Sequence, residues 1–503
     1  MTTETGGHDK QLFWGCFVAM IATSFAFIAR VLTASAWGTE FGLTATQVGE
    51  ILGAGLWPFA ISIILFSLVI DHIGYKTAMW FGLGCHVVSA LMILVARDYA
   101  SMYAGTVILS LGNGTVEAYV NPVVATTFTR DKTRWLNILH GGWPGGLVLG
   151  GLLIVVLGLD WRIANALVLL PAIAYAVMLA ARTFPVNERV ALGISYRTML
   201  AEVGAVGALI AFGLIVHQLG QIFGWSSAVS WMVILLITVV YGAYTRSVGR
   251  PLFIMFLVVM FLLATTELGL DSWITTFMST AMANMGLNPG WVLIYTSAIA
   301  LVLRFFAGDV AHRISPVGLL AGGAAIAAVG LFALSAATGA TILLGATLYG
   351  VGKSFFWPTT LAVVADQFPR GGAMTMNVVA GVGMLAVGIV GAPFMGFLQD
   401  REVNTNLQLS NPALQAKVIE TKSSIFGAYH GLNAGTVATL PASQQEEIAA
   451  VTSQSQKDAL RTMALLPLAM LVFYLALMAY FAARGGYRAE DMNASGLAVS
   501  DRT

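Results

Sequence analysis

Six ionisable residues lie inside long apolar stretches of this 503-residue sequence. A charge at the middle of a bilayer costs about 2.5 to 3.5 kcal/mol even on a lenient scale, so such residues are expected to pair or to face a watery cavity. Their formal charges sum to zero, which permits full pairing. The six residues are Arg30, Glu117, Glu267, Asp271, Arg304 and Lys353.

Reversible proton binding and recognition of a polar solute are the chemistry that this set predicts. Counting residues at about 1.5 Å each places Glu117, Glu267 and Lys353 near the middle of their spans. We expect one glutamate to take up and release a proton, because burial and a neighbouring cation pull a carboxyl pKa in opposite directions. Arg30, somewhat outward, would contact substrate oxygens together with Lys353. Asp271 follows Glu267 by four residues and shares its helix face.

A purely structural interpretation of these charges is also open. Arg30 could form a permanent ion pair with Glu117, and Lys353 could do so with Glu267, with no role beyond fixing helix packing. Arg304 lies toward the end of its span, which predicts a structural or gating role rather than substrate contact.

Amide, imidazole and indole side chains supply further candidates for substrate contact. Amides inside a membrane need partners and offer both donors and acceptors to hydroxyl groups. A histidine could bind substrate, relay protons or simply pack, and tryptophans could stack on a sugar ring or belong to the core. These candidates are Asn121, Asn137, His140, Trp273, Trp357 and Asn377. His86 has no such neighbours in the sequence and is predicted to be a core residue.

The composition requires a membrane around these residues. Hydrophobic residues make up 58% of the chain, charged residues 10%, and the mean hydropathy is +0.82, which excludes a water-soluble protein. About 20 apolar residues in a helix cross the hydrocarbon, and fourteen stretches reach that length. They are 11–37, 46–70, 76–96, 102–128, 134–158, 162–183, 200–219, 227–245, 251–281, 290–311, 317–336, 341–366, 371–398 and 462–483. The fold class is therefore an all-α polytopic membrane protein.

Charge balance and cysteine content argue against several other classes of protein. The chain carries 25 Lys and Arg against 24 Asp and Glu, so nothing indicates nucleic-acid binding. Cys16 and Cys85 both fall in apolar segments and are predicted to be packing residues rather than metal ligands or disulfide partners. We expect no cofactor, no metal and no enzymatic activity.

An internal repeat divides the fourteen spans into six, two and six. Glu117 precedes Pro122 by five residues in the fourth span, and Lys353 precedes Pro358 by five in the corresponding span of the second set. Repeats of this kind are typical of secondary transporters, whose site lies between the halves. We expect halves at 1–190 and 249–490, two extra helices within 191–248, and a tail at 491–503.

The loops predict an orientation for these spans. Most Lys and Arg residues of the short loops fall on one side, which predicts that this side and both termini are cytoplasmic, in a bacterial inner membrane. The segment 400–460 would then lie outside. Within it, Ser443-Gln-Gln-Glu446 after Pro441 fits a capping box and predicts a helical external cap; a solvated insertion without function is the alternative.

The loop Ser67-Leu-Val-Ile-Asp71-His72-Ile-Gly74-Tyr75-Lys76 resembles the G-x-x-x-D-R-x-G-R-K motif of the major facilitator superfamily. Asp71, Gly74 and Lys76 match the motif, while Ser, His and Tyr depart from it. The counterpart in the second half is Gly308-Asp-Val-Ala-His312-Arg313. The resemblance covers nearly the full chain and implies a cytoplasmic gate at these residues, with Arg304 and Arg313 contributing from the second half.

Within that superfamily, Glu117-Ala-Tyr-Val-Asn121-Pro122 followed by Trp135-Leu136-Asn137 is similar to the E-x-x-x-N-P and L-N signature of the fucose permease-like sugar:proton symporters. This resemblance implies proton coupling at Glu117 and sugar contact at Asn137. Arg30 stands where that group carries an acid, and in this respect the chain looks more like the organic anion and sugar-acid symporters.

The sequence thus predicts a secondary transporter that moves a sugar, sugar acid or similar small polar metabolite together with protons, by alternating access and as a monomer. One alternative is an efflux antiporter of amphipathic compounds, although the Gly-Pro-x-x-Gly-Gly element of drug exporters is missing around Pro144. The other is a sensor that binds solute without transporting it, which only the long outer segment favours.

Overall fold

The computed structural model describes residues 8–43, 45–424 and 427–491, and helices account for most of them. The predicted tail lies outside the described residues, except for residue 491. The first helix set comprises α1 (His8–Glu40), α2 (Ala45–Gly53), α3 (Trp57–Ile73), α4 (Tyr75–Leu94), α5 (Tyr99–Thr127), α6 (Lys132–His140), α7 (Gly142–Leu157), α8 (Trp161–Ala166) and α9 (Leu169–Ala180).

A short helix and a long helical hairpin follow the first helix set. They are α10 (Glu188–Ala191), α11 (Tyr196–Phe223) and α12 (Ser227–Thr245). We call α11 and α12 the helix pair. In the described structure α12 packs mainly against α11, whereas α11 also packs against the helices of the second set.

The second helix set occupies the rest of the described chain. Up to the outer segment it comprises α13 (Pro251–Ala264), a π-helical turn (Thr265–Gly269), α14 (Leu270–Phe277), α15 (Ser279–Ala283), α16 (Gly290–Arg304), α17 (Ala307–Ile314), α18 (Pro316–Ala336), α19 (Thr341–Lys353), α20 (Phe356–Gln367), a 3₁₀ turn (Pro369–Gly371), α21 (Gly372–Ala386) and a second π-helical turn (Val387–Gly391). It then continues with α22 (Ala392–Ser410), α23 (Pro412–Val418), β1 (Ile419–Ser424), β2 (Gly427–Leu432), α24 (Ala434–Ala438), α25 (Ala442–Met463) and α26 (Leu465–Ala482).

The all-α membrane architecture is confirmed. Within the described residues eleven helices are long and apolar enough to cross a membrane, or twelve if the bent pair of α16 and α17 counts as one span. The two further predicted spans are also helical. Helix α5 has 29 residues but carries many polar groups, and the other is broken into α19 with 13 residues and α20 with 12. These are the two spans that carry Glu117 and Lys353.

The two helix sets face each other along three main seams. Helix α3 packs against α21, α7 packs against α16, and α6 packs against both α17 and α20. Within the first set, α1 contacts α5, α7 and α9, so it lies at the centre of that set. Side chains from α1, α5, α16 and the π-helical turn before α14 line the cavities between the sets.

The segment 400–460 is mostly helical, as predicted, and also contains a two-stranded sheet. Strands β1 and β2 pair antiparallel, with Ile419 opposite Leu432. A small separate core of Val403, Leu407, Leu414, Val418 and Ile448 lies beneath them. Helix α25 begins at Ala442 with Pro441 as its N-cap and has no side-chain cap bond. The predicted capping box is therefore wrong, because Ser443 already lies inside the first turn.

A charged contact at the end of α1 ties it to α8 within the first set. Arg162 donates to both carboxylate oxygens of Glu40, at 2.6 and 3.0 Å, and the ring N–H of Trp161 donates to the same group at 2.6 Å. The hydrogen bonds from Arg162, and then from Trp161, hold the pKa of Glu40 below its usual range. This carboxylate stays charged at neutral pH and anchors the helix end.

Helix α5 lies against α3 through an unusually close backbone contact at Gly114. A Cβ added at Gly114 would overlap the carbonyl oxygen of Phe59 and lie 2.8 Å from the Cβ of Ser62. Ser62 donates to the carbonyl of Leu111 at 2.9 Å, and its hydroxyl lies 2.9 Å from that of Thr115. Only glycine permits this approach, which sets the position of Glu117 one turn farther along α5.

We predict that Gly114→Ala destabilises the protein by about 1 to 3 kcal/mol, because the added methyl group meets main-chain atoms that cannot move aside. The measurement is the thermal unfolding midpoint of purified protein in detergent. Gly84→Ala on α4 is the matched control, since a Cβ there meets nothing within 4 Å. Equal midpoints for the two variants would show that the α3–α5 contact does not limit stability.

Candidate functional site between the helix sets

A narrow cavity at the interface of the two helix sets brings the central charges together. Its lining comes from both sets: Phe59, Glu117, His140, Trp143, Glu267, Leu268, Arg304, Trp357 and Met384. The cavity has room for about one water molecule in this conformation. It is therefore too small to hold a sugar-sized solute in this conformation.

Arg304 is the most highly bonded side chain of this cavity. Its Nη2 donates to Glu267 Oε1 at 2.9 Å, its Nη1 donates to the carbonyl of His140 at 2.6 Å, and its Nε donates to the carbonyl of Ser354 at 2.7 Å. The side chain is buried, with 3% of the residue exposed. His140 belongs to the first helix set, so this guanidinium bonds across the interface.

The predicted position of Arg304, toward the end of its span, agrees with the helix bounds. Helix α16 does end at Arg304, but α17 continues from it at an angle of 63°. Residue counting along a straight helix does not anticipate the bend. The end of α16 thus lies at the interface of the helix sets, where Arg304 meets Glu267.

Glu267 reaches the cavity from the π-helical turn Thr265–Gly269. Such single turns insert an extra residue into a helix and redirect the side chains around it. Glu267 accepts from Arg304 with one oxygen and from the backbone N–H of Trp357 with the other, at 3.2 Å. Both oxygens of this carboxylate are therefore bonded within the second helix set.

Glu117 is linked to the same arginine through a short polar chain in the first helix set. The Asn121 amide donates to Glu117 Oε2 at 2.6 Å, and the Asn121 amide oxygen lies 2.8 Å from His140 Nε2, which donates if that nitrogen carries the proton. The carbonyl of His140 accepts from Arg304. The structure thus brings together four predicted residues, Glu117, Asn121, His140 and Glu267, around Arg304.

Lys353 and Asp271 form a second ion pair beside the first. Lys353 donates to Asp271 Oδ1, and the hydroxyl of Tyr349 donates to the same oxygen at 3.3 Å. The ammonium group also lies 5.0 Å from the centre of the Tyr349 ring. The pairing of Lys353 with Glu267 that the structural interpretation predicted is not formed, because Arg304 occupies that carboxylate.

Asp271 also lines a second cavity that adjoins the first. The two cavities share Trp143, Leu268 and Met384, and the second adds Phe27, Leu56, Leu147, Ser272, Leu293 and Val387. Trp143 lies in both walls and was not anticipated, since nothing in the Gly-rich sequence around it distinguishes it from a packing residue. Together the cavities extend from Glu117 past Glu267 to Asp271.

Arg30 is buried without a carboxylate partner among the residues that the structure describes. Its Nε donates to the carbonyl of Ala26 in its own helix at 3.1 Å, and its Nη1 has no hydrogen-bond partner. Only 2% of the residue is exposed, and the guanidinium packs against Gly55. The pairing of Arg30 with Glu117 is therefore absent, and one buried cation has no counter-ion in the described structure.

Asn137, Asn377 and Trp273 also lie outside the walls of the two cavities. The Asn137 amide donates to the carbonyl of Thr133 at 2.8 Å and to the hydroxyl of Thr359 at 3.0 Å. The Asn377 amide donates to the carbonyl of Ala118 at 3.0 Å. Trp273 is half-buried and packs on Phe277. Both amides join the helix sets to each other rather than lining the described cavities.

The residues of the predicted gate other than Arg304, which lines the central cavity, lie at one end of the interface. Asp71 pairs with buried Arg189, Gly74 has a φ of 80° where α3 meets α4, and Lys76 donates to the carbonyl of Arg182 at 3.5 Å. Arg313 is exposed. Arg189, missed by the sequence analysis, lies far from the motif in the chain, so only tertiary contact reveals it.

Two contacts join the helix sets at that same end. His312 Nε2 lies 3.2 Å from Asp131 Oδ1, and Lys132 donates to the carbonyl of Ala365 at 3.2 Å. Asp131 directly precedes α6 of the first set, and Lys132 is its first residue. This end of the interface is therefore closed in the described conformation.

The predicted core residues are confirmed. His86 Nε2 lies 2.9 Å from the amide oxygen of Asn113, and its Nδ1 lies 3.3 Å from the hydroxyl of Tyr175. His86 is thus a satisfied, fully buried histidine. Cys16 and Cys85 are both free and buried, as expected for packing residues.

Similar solved structures share this architecture over nearly their whole length. The chain is similar to a proton:xylose symporter, XylE, with a TM-score of 0.62, 11% identity, and coverage of 93% of this chain and 95% of that one. For the human organic anion transporter MFSD10 (TETRAN) the TM-score is 0.57, the identity 12%, and the coverage 93% and 99%. For the E. coli fucose:proton symporter FucP the TM-score is 0.55 and the identity 14%, with coverage of 93% of this chain and 98% of that one.

At these identities the solved structures show the fold alone. No curated protein matches the sequence significantly. The family model described as Major Facilitator Superfamily matches residues 12–287, which is more than half of the chain. The protein therefore belongs to the Major Facilitator Superfamily and is a membrane transporter rather than an enzyme.

Proposed function

We propose that this transporter couples proton movement to the transport of a small polar metabolite, preferentially an anionic one such as a sugar acid, by alternating access. The observation that carries the proposal is the position of Arg304 between two buried glutamates. One guanidinium bonds Glu267 directly and bonds the polar chain of Glu117 through the His140 carbonyl. A change of charge at Glu267 alters what holds this arginine, and Glu117 lines the same cavity.

Proton coupling follows from the contacts of Arg304 across the interface. Protonation of Glu267 would remove the charge that attracts Arg304 and weaken the ion pair, because charge-assisted hydrogen bonds are about twice as strong as neutral ones. The same guanidinium donates to His140 of the first helix set. Proton binding in the second set would therefore change a contact between the sets, and alternating access requires such a link.

The charge balance favours an anionic substrate. The buried set contains three cations and three acids, and protonation of one glutamate leaves a net charge of about +1 at the centre. Arg30 is the cation without an acidic partner in the described structure. A monoanion that binds with the proton would restore neutrality in a low-dielectric site, where an uncompensated charge is costly.

The organisation of the chain forms part of the same proposal. We assign the transport halves to residues 1–190 and 249–490, with the helix pair inserted between them and the segment 400–460 as an addition to the second half. The positive loops support cytoplasmic termini in a bacterial inner membrane, and we propose a monomer. One neighbouring structure is described as an organic anion transporter and two as sugar:proton symporters, which is consistent with an anionic sugar derivative.

We predict that Glu117→Gln abolishes uptake driven by a pH gradient but keeps substrate counterflow within roughly twofold of wild type, because counterflow needs no net proton transfer and the amide preserves the shape of the site. Proteoliposomes with an imposed pH gradient provide the measurement. Glu446→Gln, at an exposed position of α25, is the matched control. Gradient-driven uptake that survives in both Glu117→Gln and Glu267→Gln would show that neither carboxylate couples transport to protons.

We predict that Arg30→Gln weakens binding of sugar acids about 10- to 100-fold, since a hydrogen bond to a charged group contributes about 1.5 to 3 kcal/mol. A thermal-shift titration with matched sugars and sugar acids measures the effect. Arg30→Lys should keep part of the anion response because it keeps the charge. Arg97→Gln, at an exposed position, is the control. An unchanged preference for sugar acids in Arg30→Gln would exclude Arg30 as the anion site.

A further inference from the structure

The chain after α26 folds back against the end of α20. The Tyr487 hydroxyl donates to Asp366 Oδ2 at 2.9 Å, and the backbone N–H of Glu490 donates to the carbonyl of Asp366 at 2.8 Å. The side-chain amide of Gln367 donates to the carbonyl of Arg488 at 2.7 Å. Residues 483–491, which we call the C-terminal strap, are thus bonded to two consecutive residues of α20.

Arg250, at the start of α13, also holds the strap in place. Its Nη1 lies 2.7 Å from Glu490 Oε2 and 3.2 Å from Glu202 Oε2, and it donates to the carbonyl of Gln367 at 3.2 Å. The guanidinium also lies 4.9 Å from the centre of the Phe368 ring. A network of charges and a ring contact therefore hold the strap, the start of α13 and the end of α20 together.

Asp366, the residue that the strap holds, also belongs to the contact between the helix sets. Its Oδ1 lies 3.9 Å from Lys132 Nζ, while Tyr487 uses the other oxygen, Oδ2. Lys132 begins α6 of the first set and donates to the neighbouring carbonyl of Ala365 at 3.2 Å. Both charged side chains are largely buried. The Asp366 carboxylate thus contacts the strap with one oxygen and the opposite helix set with the other.

We propose that the C-terminal strap positions Asp366 for Lys132 and thereby favours the conformation in which α6 and α20 are closed against each other. Tyr487 and Glu490 are the positioning residues. The inference rests only on the alternating-access part of the proposed function. It requires neither proton coupling nor a particular substrate, since its contacts lie at the end of the interface and not in the central cavities.

Cysteine accessibility tests the proposal on the full chain in detergent, without substrate or pH gradient. Thr126→Cys is the reporter, because Thr126 lines a small cavity with Lys132, Ala365 and Phe368; Cys16→Ser and Cys85→Ser remove the native thiols. We expect Tyr487→Phe and Glu490→Gln each to accelerate maleimide labelling about fivefold, the effect of losing one net hydrogen bond or ion pair. Arg488→Gln is the control, since the side chain is exposed and only its carbonyl bonds Gln367.

A second background distinguishes positioning from general loosening. In Lys132→Ala the acceleration by Tyr487→Phe should disappear, because Asp366 no longer has a partner to be positioned for. All rates are measured well below the unfolding midpoint of each variant. The proposal is wrong if both strap variants label at the rate of Arg488→Gln, or if Tyr487→Phe accelerates labelling to the same extent in Lys132→Ala. Loss of transport in Glu117→Gln has no bearing on either outcome.

Discussion

The cost of burying a guanidinium is the constraint on which the centre of this transporter depends. An arginine taken out of water needs acceptors for its N–H groups and a nearby negative charge. Arg304 obtains the charge from Glu267 and the remaining acceptors from two main-chain carbonyls. Those carbonyls lack the usual helical partner because the residues four positions on, Pro144 and Pro358, have no N–H group. Carbonyls left unpaired by a proline, which would be unfavourable in lipid, thus serve as acceptors inside the protein.

The same requirement explains why the irregular backbone lies where it does. Glu267 stands in a π-helical turn, and a break between α19 and α20 follows Lys353. Regular helices would satisfy their own carbonyls and leave none for a buried cation. Breaks and extra turns are tolerated at membrane depth when they pack on protein or line a cavity. The irregular segments therefore lie next to the buried charges that need their unpaired backbone groups.

The contacts between the helix sets combine close packing, as at Gly381 against Ile64, with single polar bonds. Within the first set, glycine and small side chains allow backbones to approach closely, as at Gly114 against α3. Between the sets, single polar contacts recur: Asn137 with Thr359, Asn377 with the carbonyl of Ala118, and Arg304 with the carbonyl of His140. Individual polar contacts can be exchanged for water or other partners at modest net cost, whereas an interdigitated seam cannot. The single polar contacts between the sets suit the alternating access proposed above, and the strap adds a further exchangeable contact at one end.

The amino-acid sequence by itself determined the membrane class, the helical spans, the list of buried charges and the family resemblance. These follow from hydrophobicity, length and local motifs, which act over one helix at a time. It identified Glu117 and Glu267, and it identified His86 as a core residue, because a polar group within an apolar span is conspicuous. Only the tertiary structure decided the partners. Arg304 pairs with Glu267, Lys353 pairs with Asp271, and Arg30 has no acidic partner in the described structure. Pairing depends on where helices bend and which faces meet, as with the 63° bend after Arg304 and the approach of Arg189 to Asp71. Residue spacing within one span does not predict the distances between side chains of different spans.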